Sequence, residues 1–246
     1  MINNTIGICI PTFNESKNII KLVDKLIKIK NTYVCVVDDN SPDNTYQLLI
    51  SNYNRILNKK VFVIKRNKKN GRGTAVWTGF KKLKKLNVSI FIEMDSDFSH
   101  SLADLKKGLN IMLKNYKEID ILLGSRYPNG KIINWPFQRR VFSKLANILA
   151  RFLISNKIYD YTNGFRFYNR KSTNIMLTNK PKNKGYVYLI ETLSIFIDKN
   201  LKISEYDIIF KNRIRGKSNT TFQEILSSLK GIFFISFNFY KKKYFK

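Results

Sequence analysis

Asp95 and Asp97 stand two positions apart in MDSDFSH (94–100), directly after the apolar run SIFI (89–92) and the acid Glu93. Two carboxylates at i and i+2 on a turn that follows a strand can aim their oxygens at one point beyond the sheet edge. Both ionised, they repel each other. A hard divalent cation, Mg2+ or Mn2+, relieves that repulsion and itself binds phosphate oxygens. The same spacing arises when one aspartate caps a helix and its neighbour faces water, so the place of the pair in the fold decides between the two. His100, the sole histidine, is open to two roles, metal ligand or structural imidazole.

The elements that must position this pair are legible from periodicity. Residues 5–10 (TIGICI), 33–37 (YVCVV), 61–64 (VFVI), 89–92 (SIFI) and 119–123 (IDILL) are short apolar runs rich in β-branched residues, as strands buried on both faces are. Between them, residues 18–29, 43–57, 74–86 and 102–116 carry apolar positions at helical spacing. Alternating strand and helix predicts an α/β fold, a Rossmann-like, mostly parallel sheet with helices on both faces. Ligands in such sheets bind beyond the carboxyl ends of the strands. The residues found there are PTFNE (11–15), DDNSPDNT (38–45), RNKKNGRGTA (66–75), MDSDFSH and GSRY (124–127). All five groups contain acids or arginines, where plain connecting loops need only Gly, Asn, Ser and Pro. Gly71 and Gly73 suit a tight turn but form no P-loop, since no GK[ST] follows. Further on, a basic amphipathic helix is expected at 138–154, a helix opening near GYVYLIE (185–191), a strand around 203–210 and a terminal helix at 221–240.

The 246 residues carry 45 Lys and Arg against 17 Asp and Glu, a net charge of +28. With 43% hydrophobic and 13% aromatic residues the chain is not disordered. Its charge favours polyanions, namely nucleic acid, anionic headgroups or phosphorylated small molecules. No groove-reading motif or basic stripe with stacking aromatics is visible, and acids occupy the expected ligand edge, which argues against a nucleic-acid partner. Cys9 and Cys35 lie inside apolar runs with no metal-ligand spacing, as buried thiols in a reducing compartment do. No secretory signal is visible at the N-terminus, so a cytoplasmic location is expected.

These stretches, together with WPFQRRVFS (135–143), DYTNGFR (160–166), GYVYLIE and RIRGKS (213–218), run in order from residue 5 to about 220 and resemble the GT-A glycosyltransferases of inverting family 2. Within that family the resemblance is to the dolichol-phosphate mannose synthases. It implies that Pro11, Phe13 and Glu15 line a nucleoside pocket and that Asp38 and Asp39 meet base and ribose. It further implies that Asp95 and Asp97 bind the metal under the donor diphosphate, that Arg126 and Arg139, with Ser143, hold an acceptor phosphate, and that Arg213 stands beside the diphosphate. Asp97, Arg126, Arg139 and Arg213 are the expected catalytic set. Asp38 or Asp39 could also cap the following helix, and Trp135 could be a core wedge or a membrane-interface anchor. Three positions depart from the family pattern: Ser99 for a common glutamine, Asn219 for a lysine, and Arg72 for an apolar residue in the glycine turn.

The implied reaction moves a hexose, mannose from GDP-mannose, to a polyprenyl phosphate, with a UDP-sugar donor or a saccharide acceptor as the alternative. A phosphate acceptor is already anionic, so arginines that position it suffice. A sugar hydroxyl would demand a carboxylate base, for which Asp160 and Glu191 are candidates, unless they orient Arg126 and Arg139 instead. A catalytic domain over 1–220 and a basic, aromatic helix over 221–246 are expected. That helix and 138–154 would attach the protein peripherally to the cytoplasmic face of a membrane, at about 1 kcal/mol per nearby basic residue on an anionic leaflet; alternatively, a membrane partner subunit docks on the C-terminal helix.

Overall fold

The computed structural model describes residues 4–183, 185–213 and 222–244. The chain runs β1 (Ile6–Thr12), α1 (Ile19–Leu26), β2 (Thr32–Asp38), α2 (Thr45–Tyr53), β3 (Val61–Lys65), α3 (Arg72–Lys84), β4 (Ile90–Glu93), α4 (Leu102–Lys114), β5 (Ile121–Ser125), β6 (Lys131–Ile133), α5 (Phe137–Leu153), β7 (Arg166–Tyr168), α6 (Arg170–Thr178), α7 (Val187–Asp198), β8 (Ile203–Asp207), β9 (Ile209–Lys211) and α8 (Phe222–Tyr244).

The apolar runs become strands buried on both faces, and they pair into a seven-stranded sheet of order β3-β2-β1-β4-β7-β5-β8. Every pairing in it is parallel except those of β7, which runs antiparallel to both β4 and β5. One face is covered by α1, α2 and α4 through Ile19, Leu22, Leu49, Leu105 and Met112. The other is covered by α3, α6, α7 and α8 through Val76, Phe80, Met176, Leu193 and Ile232. The helical spacing of Ile19, Leu22, Val23 and Leu26 predicts the buried face of α1, and all four are fully buried.

Two features differ from expectation. The expected strand at 203–210 breaks at Ile208, so that β8 stays in the main sheet and β9 pairs with β6. The segment after Asp160 supplies β7, a strand too short to leave a periodic signal. Because β7 is antiparallel, its start lies where β4 and β5 end, and this delivers residues 160–164 to the ligand edge of the sheet.

The expected boundary between residues 220 and 221 lies outside the described residues. Ile232 and Ile235 of α8 are buried in the core, and Ser236 Oγ donates to the Leu153 carbonyl of α5 at 2.9 Å. Among the described residues no helix is long and apolar enough to cross a membrane.

Candidate functional site

The carboxyl ends of β1, β4 and β5 open onto a cleft of about 400 Å3. Pro11, Phe13, Glu15, Asp39, Asp95, Asp97, Arg126, Arg139 and Arg213 all line it, although they are spread over some 200 positions of the chain. Asp38 and Ser143 do not. Asp38 is fully buried and accepts from Thr12 Oγ1 (3.0 Å), Ser41 Oγ (2.5 Å) and Ser41 N (2.9 Å), so its oxygens serve the turn after β2 and not a ligand. Ser143 Oγ bonds the Tyr127 hydroxyl at 3.2 Å, to one side of the cleft.

At one end of the cleft, Asp39 holds the glycine turn. Its carboxylate accepts from Arg66 and from the amides of Asn70 and Gly71, both at 3.2 Å. Gly71 needs its freedom here, with φ 87°. Lys69 lies over the Phe13 ring, 4.3 Å from its centroid.

The turn after β4 carries Asp95 and Asp97. His100 shapes this turn. Its Nδ1 accepts from the Asp95 amide at 3.1 Å, its Nε2 faces Asn163 Oδ1 at 3.2 Å, and its ring stacks on Phe165 with centroids 4.5 Å apart. Both nitrogens are used and burial lowers its pKa, so the neutral imidazole is structural and not a metal ligand. Asp97 Oδ1 accepts from the amide of Ser99 at 3.0 Å, and Ser99 is itself buried.

Each carboxylate of the pair faces a guanidinium. Arg72 bonds Asp95, and Arg213 Nη2 lies 3.3 Å from Asp97 Oδ2. Burial pushes the Asp95 carboxyl up, but Arg72 outweighs it and holds the group at about 2. Glu15 is different: burial lifts its carboxyl to about 7, against a 3.1 Å hydrogen bond from Asn18 and with Arg213 Nη1 3.8 Å away. Among the described residues no group of three or more His, Cys, Asp and Glu could hold a metal. A two-carboxylate, hard-oxygen site suits Mg2+ or Mn2+, which keep several positions for water and substrate phosphates, and does not suit a closed structural site.

Across the cleft, Arg126 is buried and gripped by Asp160. Its Nε and Nη2 donate to the two carboxylate oxygens at 2.8 Å each, its amide donates at 2.9 Å, and Nη2 also reaches Thr162 Oγ1 at 2.7 Å. Burial pushes the Asp160 carboxyl up, yet Arg126 and the backbone donors hold it below the usual carboxylate range. Asp160 therefore orients Arg126 and is no general base. Glu191 is neither a base here nor a partner of Arg139, since it accepts from the amides of Lys182 and Asn183 outside the cleft. Trp135 links the two arginines, with the Arg139 guanidinium 4.0 Å and that of Arg126 5.2 Å from its ring. Its buried indole N–H has no hydrogen-bond partner among the described residues. Of the RIRGKS motif only Arg213 lies within the described residues, and Asn219 lies outside them.

Arg72, Thr162, Asn163, Tyr186 and Leu189 also line the cleft without having been assigned a role from sequence. Arg72 was visible only as a departure in the glycine turn. Thr162 and Asn163 arrive through β7, which no periodicity marks.

The chain has relatives among known proteins. Residues 7–175 match glycosyl transferase family 2. A polyprenol monophosphomannose synthase of Mycolicibacterium smegmatis is 32% identical over 228 residues, 90% of this chain and 83% of that protein. A dolichol-phosphate mannosyltransferase of Pyrococcus furiosus is 34% identical over 93% of this chain, which spans 62% of that protein's length. Among solved structures, a glucosyl-3-phosphoglycerate synthase of Mycobacterium tuberculosis in complex with Mn2+, UDP-glucose and phosphoglyceric acid superposes with a TM-score of 0.67 at 18% identity, covering 96% of this chain and 80% of that one. The likeness establishes the GT-A-like fold. Sheet order, cleft and sequence together make the chain a member of glycosyl transferase family 2.

Proposed function

We propose that the protein transfers mannose from GDP-mannose to a polyprenyl phosphate at the cytoplasmic surface of a membrane. One observation carries this reading: a carboxylate pair, Asp95 and Asp97, shares a single cleft with two arginines, Arg126 and Arg139, packed on Trp135. The names of the two mannosyl-transferring relatives support the choice of sugar and acceptor.

Asp95 and Asp97 are the residues that would hold Mg2+ or Mn2+. When bound, such an ion supplies neutralising charge to the departing diphosphate. Arg213, between Asp97 and Glu15, adds a second positive group on that side. Phe13, Pro11 and Asp39 bound the nucleoside end. Arg126 is fixed by Asp160, and its cationic neighbour Arg139 is less constrained, so an acceptor phosphate would meet one rigid and one adaptable guanidinium. Its oxygen is already anionic, so the engagement of Asp160 by Arg126 is consistent with a phosphate acceptor.

The membrane assignment rests on the outward faces of two packed helices. Phe137, Leu145, Ile148 and Phe152 of α5 and Phe233, Phe234 and Phe237 of α8 are exposed, beside exposed Arg140, Lys144 and Lys230. Apolar side chains flanked by basic ones suit an anionic bilayer surface.

The test is transfer from a panel of radiolabelled nucleotide-sugars to a polyprenyl phosphate in detergent. Label entering the lipid phase from GDP-mannose is expected. Lipid label only from a UDP-sugar would overturn the donor, and label found only on a saccharide would overturn the acceptor.

A further inference from the structure

Both carboxylates of the candidate metal pair are already matched by arginines, Asp95 by Arg72 and Asp97 by Arg213. The two pairs differ in how the cation is held. Arg72 is anchored on three sides: Nε donates to the Tyr188 hydroxyl at 3.0 Å, Nη2 donates to the Gly164 carbonyl at 2.9 Å, and Nη1 faces Asp95. Tyr188 is fully buried, and its hydroxyl donates in turn to Glu93 at 2.6 Å. The neighbouring charges are accounted for, since Glu93 also accepts from Tyr168 at 2.9 Å and has Arg166 at 3.9 Å. Space is as tight as the bonding, because a Cβ placed on Gly164 would lie 2.5 Å from Arg72 Nη2.

We infer that Arg72 is a resident counter-cation that keeps Asp95 from binding a divalent ion on its own and makes metal binding conditional on the donor's diphosphate. Two carboxylates facing two guanidinium groups give a locally neutral pocket. A dication arriving alone gains little there and is repelled by a guanidinium it cannot displace, because Tyr188 and Gly164 hold it. A nucleoside diphosphate brings the negative charge that restores the attraction, so metal and donor bind as one unit. Arg72 is in these terms a positioning residue, and the coupling is reciprocal between the two ligands. The inference rests on the reading of Asp95 and Asp97 as the metal pair.

The test is Mn2+ binding to the full chain, followed by the loss of the free-ion EPR signal, alone and with saturating GDP, with UDP in a parallel arm. Wild type is expected to bind Mn2+ weakly alone and much more tightly with one of the nucleotides. Arg72→Met should raise the affinity for Mn2+ alone roughly tenfold, as loss of one nearby charge predicts, and so narrow the gain from nucleotide. Arg72→Lys keeps the charge but loses the fork that Tyr188 and Gly164 hold, so it should fall between wild type and Arg72→Met. Gly164→Ala, which displaces the guanidinium without changing charge, should move the same way as Arg72→Met, and it carries the test should that variant fail to fold. Unchanged or weaker binding of Mn2+ alone in Gly164→Ala and in a folded Arg72→Met overturns the inference and leaves the metal pair standing. Absence of Mn2+ binding in wild type with either nucleotide overturns both.

Discussion

Arg213 Nη2 stands 3.3 Å from Asp97 Oδ2, joining the first residue of the RIRGKS motif to a carboxylate on the turn after β4. The same guanidinium reaches toward Glu15 after β1 at 3.8 Å, so one arginine spans two loops of the ligand edge. In the proposed reaction, charge placed there would meet the leaving diphosphate.

Arg213→Met is therefore expected to lower kcat/KM for sugar transfer by about 100-fold or more, the scale seen when one preorganised transition-state donor is removed. Arg213→Lys should recover part of the loss. Steady-state kinetics checks this, and an unchanged kcat/KM in Arg213→Met would remove Arg213 from the reaction.

Asp160→Ala leaves the buried Arg126 guanidinium without its counter-charge, which costs about 3–5 kcal/mol of folding stability. The Asp160 carboxyl sits below its ordinary pKa in the folded protein, so its contribution is fully present above the unfolded value and is lost as pH falls through the folded one. Urea unfolding should accordingly give a constant gap between wild type and variant above about pH 5, narrowing at more acid pH. A gap that widens on acidification would contradict the assignment.

Gly73→Ala should destabilise the protein by about 1–3 kcal/mol although alanine is the better helix former. A Cβ at this position of α3 would come within 2.6 Å of the Tyr188 ring, which is fully buried and cannot retreat. Urea midpoints for the variant and wild type measure it, and an unchanged or raised midpoint would mean that the helix and ring are packed less closely.

Replacing Phe137, Phe152, Phe234 and Phe237 together by serine should weaken flotation with anionic vesicles by tenfold or more, since each buried phenylalanine contributes about 1.5–3 kcal/mol. Added salt should weaken wild-type binding as well, through the basic residues beside them. Retained flotation of the variant would place the membrane contact elsewhere. Binding of nucleotide should be untouched, because none of the four lines the cleft.

How much of this was legible in the sequence follows from what leaves a periodic trace. The five parallel strands and the loops after them were readable because strands buried on both faces form continuous apolar runs. The sequence alone therefore places Asp95, Asp97, Arg126 and Glu15 at one edge. The strand β7 was not readable, being only Arg166–Tyr168 and antiparallel, and with it went the reason why Asp160 meets Arg126 from 34 positions away. Asp38 is not separable by sequence, because an acid after a strand looks alike whether it faces a ligand or, as here, a serine of its own turn and the threonine that ends β1. His100 was undecidable for a related reason, since its two hydrogen bonds reach an amide five residues back and Asn163 beyond it. Arg72 carried a signal only as an unexpected charge in a glycine turn, and Tyr188 and Gly164, which explain it, lie about a hundred residues further on.

The central claim, that Asp95 and Asp97 together hold a divalent ion against the donor diphosphate, is tested most directly by anomalous diffraction from crystals grown with Mn2+ and GDP. The expected result is a manganese peak within coordination distance of both carboxylates and of a diphosphate oxygen. A bound nucleotide with no manganese beside either aspartate, or manganese lodged elsewhere in the cleft, would contradict it.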